Sequence, residues 1–225
     1  MTISKLAEEL LLNVKKEEST DNLEEQLAIL TLGQLKEELK TDSQKKAFWI
    51  NCYNAYYQIL RKNTKLLAPE IYTEKLIKIA GENFSLDEIE HGILRKYRIK
   101  ISLGYLPNIF APILIKSLAV NKVDYRIHFA LNCGAKSCPP IAFYNYNKLD
   151  QQLDIATLSF LESETEVFYD KMEIHTTSLM SWFRGDFSGK KGIKQILEDK
   201  LNIPTTGFKL IYKPYSWEDQ LLNFE

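Results

Sequence analysis

The segment Ala47-Phe48-Trp49-Ile50-Asn51-Cys52-Tyr53-Asn54-Ala55-Tyr56-Tyr57 is apolar or aromatic on nearly every side of a helix, and a helix without a wet face has to be surrounded by the rest of its chain. This stretch is therefore expected at the centre of the fold. It belongs to a helix that Asp42 or Ser43 can cap and that runs to about Lys62. Asn51 and Asn54, at spacing i, i+3, share one side of it. Buried amides are costly unless hydrogen-bonded, so both are expected to have a structural or functional task.

The remaining pattern is read around that helix. Ile3 to Lys16 and Asn22 to Leu39 place apolar residues at helical spacing, predicting two amphipathic helices that cover a face of the core. Pro69 can open a short helix to about Ile79, and Ser85-Leu86-Asp87-Glu88 is a capping box for a helix ending near Lys96. Further helices are expected over Asn147 to Leu161 and Lys190 to Leu201. A tight hairpin is expected from Val167-Phe168-Tyr169 and Met172-Glu173-Ile174, and a last strand from Phe208 to Tyr212. Ser178 to Phe183 fits either a strand or a helix. Helices lead and strands follow, which predicts an α+β fold: N-terminal and central helices packed on a small, mostly antiparallel sheet. At 225 residues and 45% apolar content, one domain is expected over 1–225, with 1–40 as a helical extension.

Charge and cysteine content narrow the classes of function. Lys and Arg number 29 against 30 Asp and Glu, for a net charge of -1, so no overall field draws the chain to nucleic acid or to a membrane. Neither partner is expected. Met1 to Lys16 lacks the apolar core of a signal peptide, and no window approaches the ~20 apolar residues that span a bilayer. Cys52, Cys133 and Cys138 are an odd number that does not suggest a disulfide scaffold, so reduced thiols in the cytoplasm are the expectation. A Cys133–Cys138 disulfide is the alternative in an oxidising compartment.

Chemistry concentrates in Arg126-Ile127-His128-Phe129-Ala130-Leu131-Asn132-Cys133-Gly134-Ala135-Lys136-Ser137-Cys138-Pro139-Pro140. Ile127, Phe129 and Leu131 alternate at period two, predicting a strand that ends at Gly134 in a loop carrying two thiols. A thiol becomes a useful nucleophile near neutrality when a histidine or another positive charge stabilises the thiolate. His128 and His91 are the candidate partners. On a regular strand His128 and Cys133 face opposite ways, so Cys138 is the preferred nucleophile and Cys133 the second choice. Glu90 is the candidate orienter of an imidazole, and Asn51 or loop N–H groups the candidate oxyanion donors. Simpler readings stand beside these: Cys133 and Cys138 as core residues, Glu90 and His91 as a solvated helix flank. His175 reads as surface, and Asp186 as the cap of a turn.

Several separate segments carry a family resemblance: Ala47 to Ala55, Ile89-Glu90-His91-Gly92-Ile93-Leu94-Arg95, Arg126 to Cys133 with Ser137-Cys138-Pro139-Pro140, Asp186-Phe187, and Tyr215-Ser216-Trp217 before Leu222-Asn223. In this order, over a core of residues 48–223, the chain resembles the family catalogued as domain of unknown function 547. The resemblance implies kinship with papain-like or transglutaminase-like folds and so a cysteine hydrolase ancestry. Transglutaminase-like domains place their nucleophile near the start of a buried helix, where this chain has Asn51 beside Cys52.

Three functions are therefore expected in competition. The first is a thiol-dependent hydrolase or acyltransferase acting on amide or ester bonds of a small molecule or peptide, using Cys138 or Cys133, His128 or His91, Glu90 and Asn51. The second is a non-catalytic domain that binds a protein partner through an aromatic surface, for which 12 Tyr and 3 Trp supply material. The third is a zinc domain with His128, Cys133, Cys138 and His91 as ligands. No other cofactor is expected.

Overall fold

A computed structural model of the chain describes residues 1–224. The helix α4, Asp42–Asn63, has 22 residues and buries the whole run from Ala47 to Leu60. Its start is set by Thr41, whose hydroxyl accepts from the Gln44 N–H while the Gln44 side chain accepts from the Thr41 N–H. The two asparagines carry this helix's polar contacts to distant backbone. Asn51 accepts from Tyr144 N–H and donates to Tyr144 C=O, at 3.0 and 2.8 Å. Asn54 accepts from Asn132 N–H and donates to Ala130 C=O, both at 2.9 Å. Each amide ties a loop to the central helix.

The first helix, α1 (Ile3–Lys16), lays Leu6, Ala7, Leu10 and Leu11 against α4. The single helix expected over Asn22 to Leu39 is two, α2 (Asp21–Ile29) and α3 (Leu32–Glu38). Thr31 breaks it by forming a second capping box with Gln34. The helix expected from Pro69 to Ile79 stops early, as α5 (Glu70–Thr73), and gives way to a hairpin of β1 (Ile77–Ile79) and β2 (Glu82–Phe84). Ala80 and Gly81 turn it with φ of 54° and 77°, and their N–H groups bond to Leu27 and Ala28 of α2.

Ser85 and Glu88 form the expected capping box, but the helix they open, Glu88–Leu94, is wound as a π-helix. Short elements follow: a 3₁₀ turn at Lys100–Ser102, α6 (Ile113–Leu118) and a second 3₁₀ turn at Tyr125–Phe129. The last of these replaces the strand expected through Ile127, Phe129 and Leu131. Asp124 caps it by accepting from the Arg126 N–H, and every residue from Ile127 to Leu131 is buried. The alternation in that sequence reflects burial on all sides, with no sheet partner.

The second half is α7 (Leu149–Glu164), β3 (Glu166–Phe168), β4 (Glu173–Thr176), α8 (Leu179–Trp182), α9 (Gly189–Leu201) and β5 (Lys209–Tyr212). β3 and β4 are the expected hairpin, with Val167 opposite Ile174. β5 adds in parallel to β4, so this sheet is mixed. The fold is α+β. Two apolar clusters form, one around α4 and its neighbours, the other around Phe160, Ile174, Met180 and Phe187. The 3₁₀ turn at Tyr125–Phe129 straddles them, giving Ile127 to the first and Phe129 to the second.

Asn54→Ala leaves the Ala130 carbonyl and the Asn132 N–H buried without a partner, at about 1–3 kcal/mol each. Urea unfolding should show a clear drop in midpoint. A variant within about 0.5 kcal/mol of the parent chain would mean that the amide does not hold the thiol loop.

Candidate functional site

A cleft of about 330 Å³ opens at the seam of the two clusters. Tyr53 and Leu131 line it from the first cluster, Leu179, Trp182 and Tyr215 from the second, and its walls are chiefly carbon. Of the six residues singled out in the sequence, Glu90, His91, His128, Cys133 and Cys138 line it, while Asn51 does not. Asn51 is engaged by the Tyr144 backbone.

The thiol loop is shaped by Asn132 and Gly134. Asn132 accepts from Gly134 N–H at 2.8 Å and donates to Pro139 C=O at 2.7 Å. Gly134 has φ of 70°, and a side chain there would meet the Tyr57 ring at 2.5 Å. The turn brings the sulfurs together, with Cys133 N–H donating to Cys138 Sγ at 3.1 Å. The C-terminal segment then straps the loop. Gln220 N–H donates to Gly134 C=O and Lys136 N–H to Glu218 C=O, each at 2.7 Å, and Arg61 grips Asp219 with two bonds. This strap delivers Tyr215, whose hydroxyl stands 3.1 Å from Cys138 Sγ and 3.5 Å from Cys133 Sγ.

The two thiols titrate as a pair. The Cys133 thiol is drawn down because the Cys138 thiol donates to its thiolate; burial opposes this, and Tyr215 and the Ala135 N–H add to it. The Cys138 thiol is pushed well up by burial and by the neighbouring sulfur. Tyr215 is pushed up by burial and by both sulfurs, so it stays a donor. Cys133 is also the less buried of the two. Cys52, fully buried in α4, is pushed up by burial alone and stands outside the cleft.

Beside the thiols lies a buried charge network. Arg95, at the end of the π-helix, is fully buried. Its Nε donates to Asp186 Oδ2 at 2.5 Å and its Nη1 to His91 Nδ1 at 2.7 Å. Guanidinium is only a donor, so His91 Nδ1 is the acceptor and the ring hydrogen sits on Nε2, 3.5 Å from Asp87 Oδ1. Burial and the Arg95 charge push the His91 imidazole down to about 3. Asp186 Oδ2 also faces His128 Nε2 at 2.9 Å. Burial lowers His128 too, so it is neutral near pH 7, with its hydrogen on Nε2 and its lone pair on Nδ1. Burial alone would raise the Asp186 carboxyl, but the bonds from His128 and Arg95 hold it below the usual range. Phe183 packs on two members of the network at once, stacked on the His128 ring at 4.0 Å and under the Arg95 guanidinium at 4.5 Å.

Asp186 is therefore a centre of the network, where the sequence suggested a turn cap. Glu90 accepts from the Tyr53 hydroxyl at 3.2 Å and its other oxygen lies 3.5 Å from His91 Nδ1. His175 is half-buried and faces Glu173 Oε2 at 3.0 Å, away from the cleft. Among the described residues, no three His, Cys, Asp or Glu side chains gather as a group able to hold a metal ion.

The family model described as a protein of unknown function, DUF547, matches residues 36–161, more than half of the chain. The chain belongs to the DUF547 family. No curated protein and no solved structure matches it. Within the matched span lie Glu90, His91, Arg95, His128, Cys133 and Cys138; from beyond it Tyr215 lines the DUF547 cleft and Asp186 pairs with Arg95 behind it.

Histidines held neutral by burial stabilise the fold above their unfolded pKa of 6.5, and this contribution is lost as pH falls from there toward about 3 for His91. The unfolded chain binds the extra proton in that window, so stability rises with pH by up to about 1.4 kcal/mol per unit for each such histidine. Urea midpoints measured from pH 4 to 7 should slope accordingly, and His91→Gln should flatten the slope. Parallel slopes for the two chains would show that His91 is not buried in its neutral form.

Proposed function

We propose that the cleft is a thiol-dependent acyl-transfer site in which Cys133 is the nucleophile and the substrate is an apolar ester or amide. The observation that carries this reading is the sharing of one Tyr215 hydroxyl by two sulfurs in a carbon-lined cleft that His128 also lines. Cys138, the first choice from sequence, is the better buried and the harder to ionise, and acts as the donor that steadies the Cys133 thiolate.

In this mechanism the Cys133 thiol gives its proton to His128 Nδ1, whose tautomer is set by Asp186 on Nε2. The sulfur bonds to the carbonyl carbon. Collapse of the adduct breaks the carbon–oxygen or carbon–nitrogen bond, and the leaving atom takes the proton from His128. Water or an acceptor hydroxyl then attacks the thioester and loses its proton to the same imidazole, which returns it to Cys133. His91 has no part in proton transfer, because Arg95 occupies its basic nitrogen. Glu90, held by Tyr53, disfavours the nearby thiolate and is placed to accept a donor from the substrate.

Alkylation by iodoacetamide should modify Cys133 first, with an inflection below the ~8.5 of a free thiol, and Tyr215→Phe and Cys138→Ser should each move that inflection up. Cys52 should stay unmodified in the folded chain. With p-nitrophenyl acyl esters, Cys133→Ser should abolish the burst of nitrophenolate. If Cys133 reacts no faster than a free thiol, or if the serine variant turns over esters like the parent chain, the proposal fails.

A further inference from the structure

The balanced total charge conceals a local imbalance. From 91 to 123 the chain has no Asp or Glu, while Arg95, Lys96, Arg98, Lys100, Lys116 and Lys122 fall in that interval. Arg95 is buried against Asp186 and Lys100 pairs with Asp87 at 2.8 Å. Lys96, Arg98 and Lys116 instead donate to main-chain carbonyls, of Asn121, Tyr105 and Ile109, at 2.7, 3.0 and 2.6 Å. Their charges fix the local backbone and are not neutralised by it.

The same interval holds the three most exposed large apolar side chains among the described residues: Ile101 at 93%, Phe110 at 87% and Ile113 at 86%. Leu106 and Ile109 are exposed beside them. This is an ordered segment. Ile99 N–H donates to Leu106 C=O, Asn108 N–H to Tyr97 C=O and Gly185 N–H to Leu103 C=O, at 3.0, 2.7 and 2.7 Å. Side chains this exposed are covered by no other part of the chain, and Ile101 also lines a groove of about 420 Å³ with Arg98, Lys100, Pro112 and Ile115. The exposed side chains fit a medium that closes around each of them, and cations that bond main-chain carbonyls in place of carboxylates, as Lys96, Arg98 and Lys116 do, fit an anionic one.

We propose that the segment 96–116 docks the protein peripherally on an anionic lipid bilayer, with Ile101, Phe110 and Ile113 entering the acyl region and the lysines facing headgroups. No helix among the described residues is long and apolar enough to cross a membrane, so the contact is interfacial. Lys100 and Leu103 of this segment also line the cleft, together with Trp217, which is exposed and stacked on Trp182. The cleft thus opens beside the docking surface. The inference stands apart from the thiol chemistry.

The test is sedimentation of the full chain with vesicles of phosphatidylcholine alone and of phosphatidylcholine with phosphatidylserine. Binding is expected to the second and to weaken as salt rises. The exposed triple variant Ile101→Ser, Phe110→Ser, Ile113→Ser should lose it with an unchanged urea midpoint, and Lys116→Gln with Lys122→Gln should weaken it about fivefold per cation. Ile155→Ser, an exposed change on α7, should bind like the parent chain. Equal binding to both vesicles, or to neither, overturns the proposal. So does a dimer in light scattering that the triple variant dissolves without any vesicle binding, since a second copy would then own the surface.

Discussion

A guanidinium with no exposed surface has to be answered by the protein, because arginine cannot discard its charge. Arg95 is answered by three elements that are far apart in sequence: the π-helix that carries it and His91, the segment that carries Phe183 and Asp186, and the 3₁₀ turn whose His128 shares the Asp186 oxygen. The arrangement is not saturated. Arg95 Nη2 and Asp186 Oδ1 have no partner, and both lie against Gly104, where a side chain would come within 2.7 and 2.4 Å of them. Gly104, with φ of 85°, lets main chain close over the pair. Such a network adds little net stability over an apolar core of the same shape, but losing one member would strand a buried charge at about 3–5 kcal/mol. Its effect is to fix how the two apolar clusters meet, and so the shape of the cleft between them.

The same guanidinium governs the chemistry available beside it. Burial, with the Arg95 charge adding to it, keeps both imidazoles uncharged, so in the resting site neither is an imidazolium that holds a thiolate. Ionisation at Cys133 rests instead on hydrogen bonds from Cys138, Tyr215 and Ala135. That makes the reactivity of the loop depend on the C-terminal strap, since Tyr215 reaches the sulfurs only while Lys136, Gly134 and Ile141 are paired with residues beyond it. The neutral His128, conversely, is free to take a proton at one nitrogen because Asp186 holds the other.

What could be read from the chain was what local chemistry decides. The all-round apolar run of α4, the Ser85–Glu88 capping box and the β3–β4 hairpin each follow from residues within a few positions of one another. Errors arose where a local signal was overruled or overlooked. Thr31 and Gln34 repeat the capping pattern of Thr41 and Gln44, yet the apolar spacing across them reads as one unbroken helix. Ile127, Phe129 and Leu131 alternate like a strand, but Asp124 and burial on every side make a 3₁₀ turn. The candidate residues were legible as residue types; their grouping was not. Nothing in sequence indicates that Asn51 meets Tyr144 while Tyr215, 77 positions after Cys138, meets both sulfurs. Arg95 and Asp186 were visible in the family motifs, and their pairing across 91 residues was not.

The interval without acidic residues has the buried Arg95 as its first cation. Arg95 offers three nitrogens to its surroundings, and one of them is vacant under Gly104. Glu90 and Asp87 face Tyr53 and Lys100, and each also lies 3.5 Å from the His91 ring that Arg95 bonds. The surface that follows Arg95 in the chain is cationic, with apolar side chains that no other part of the chain covers. Order in the cleft rests on the buried arginine, while the charge of the adjacent face rests on Lys96, Arg98 and Lys116, which are held by main-chain carbonyls.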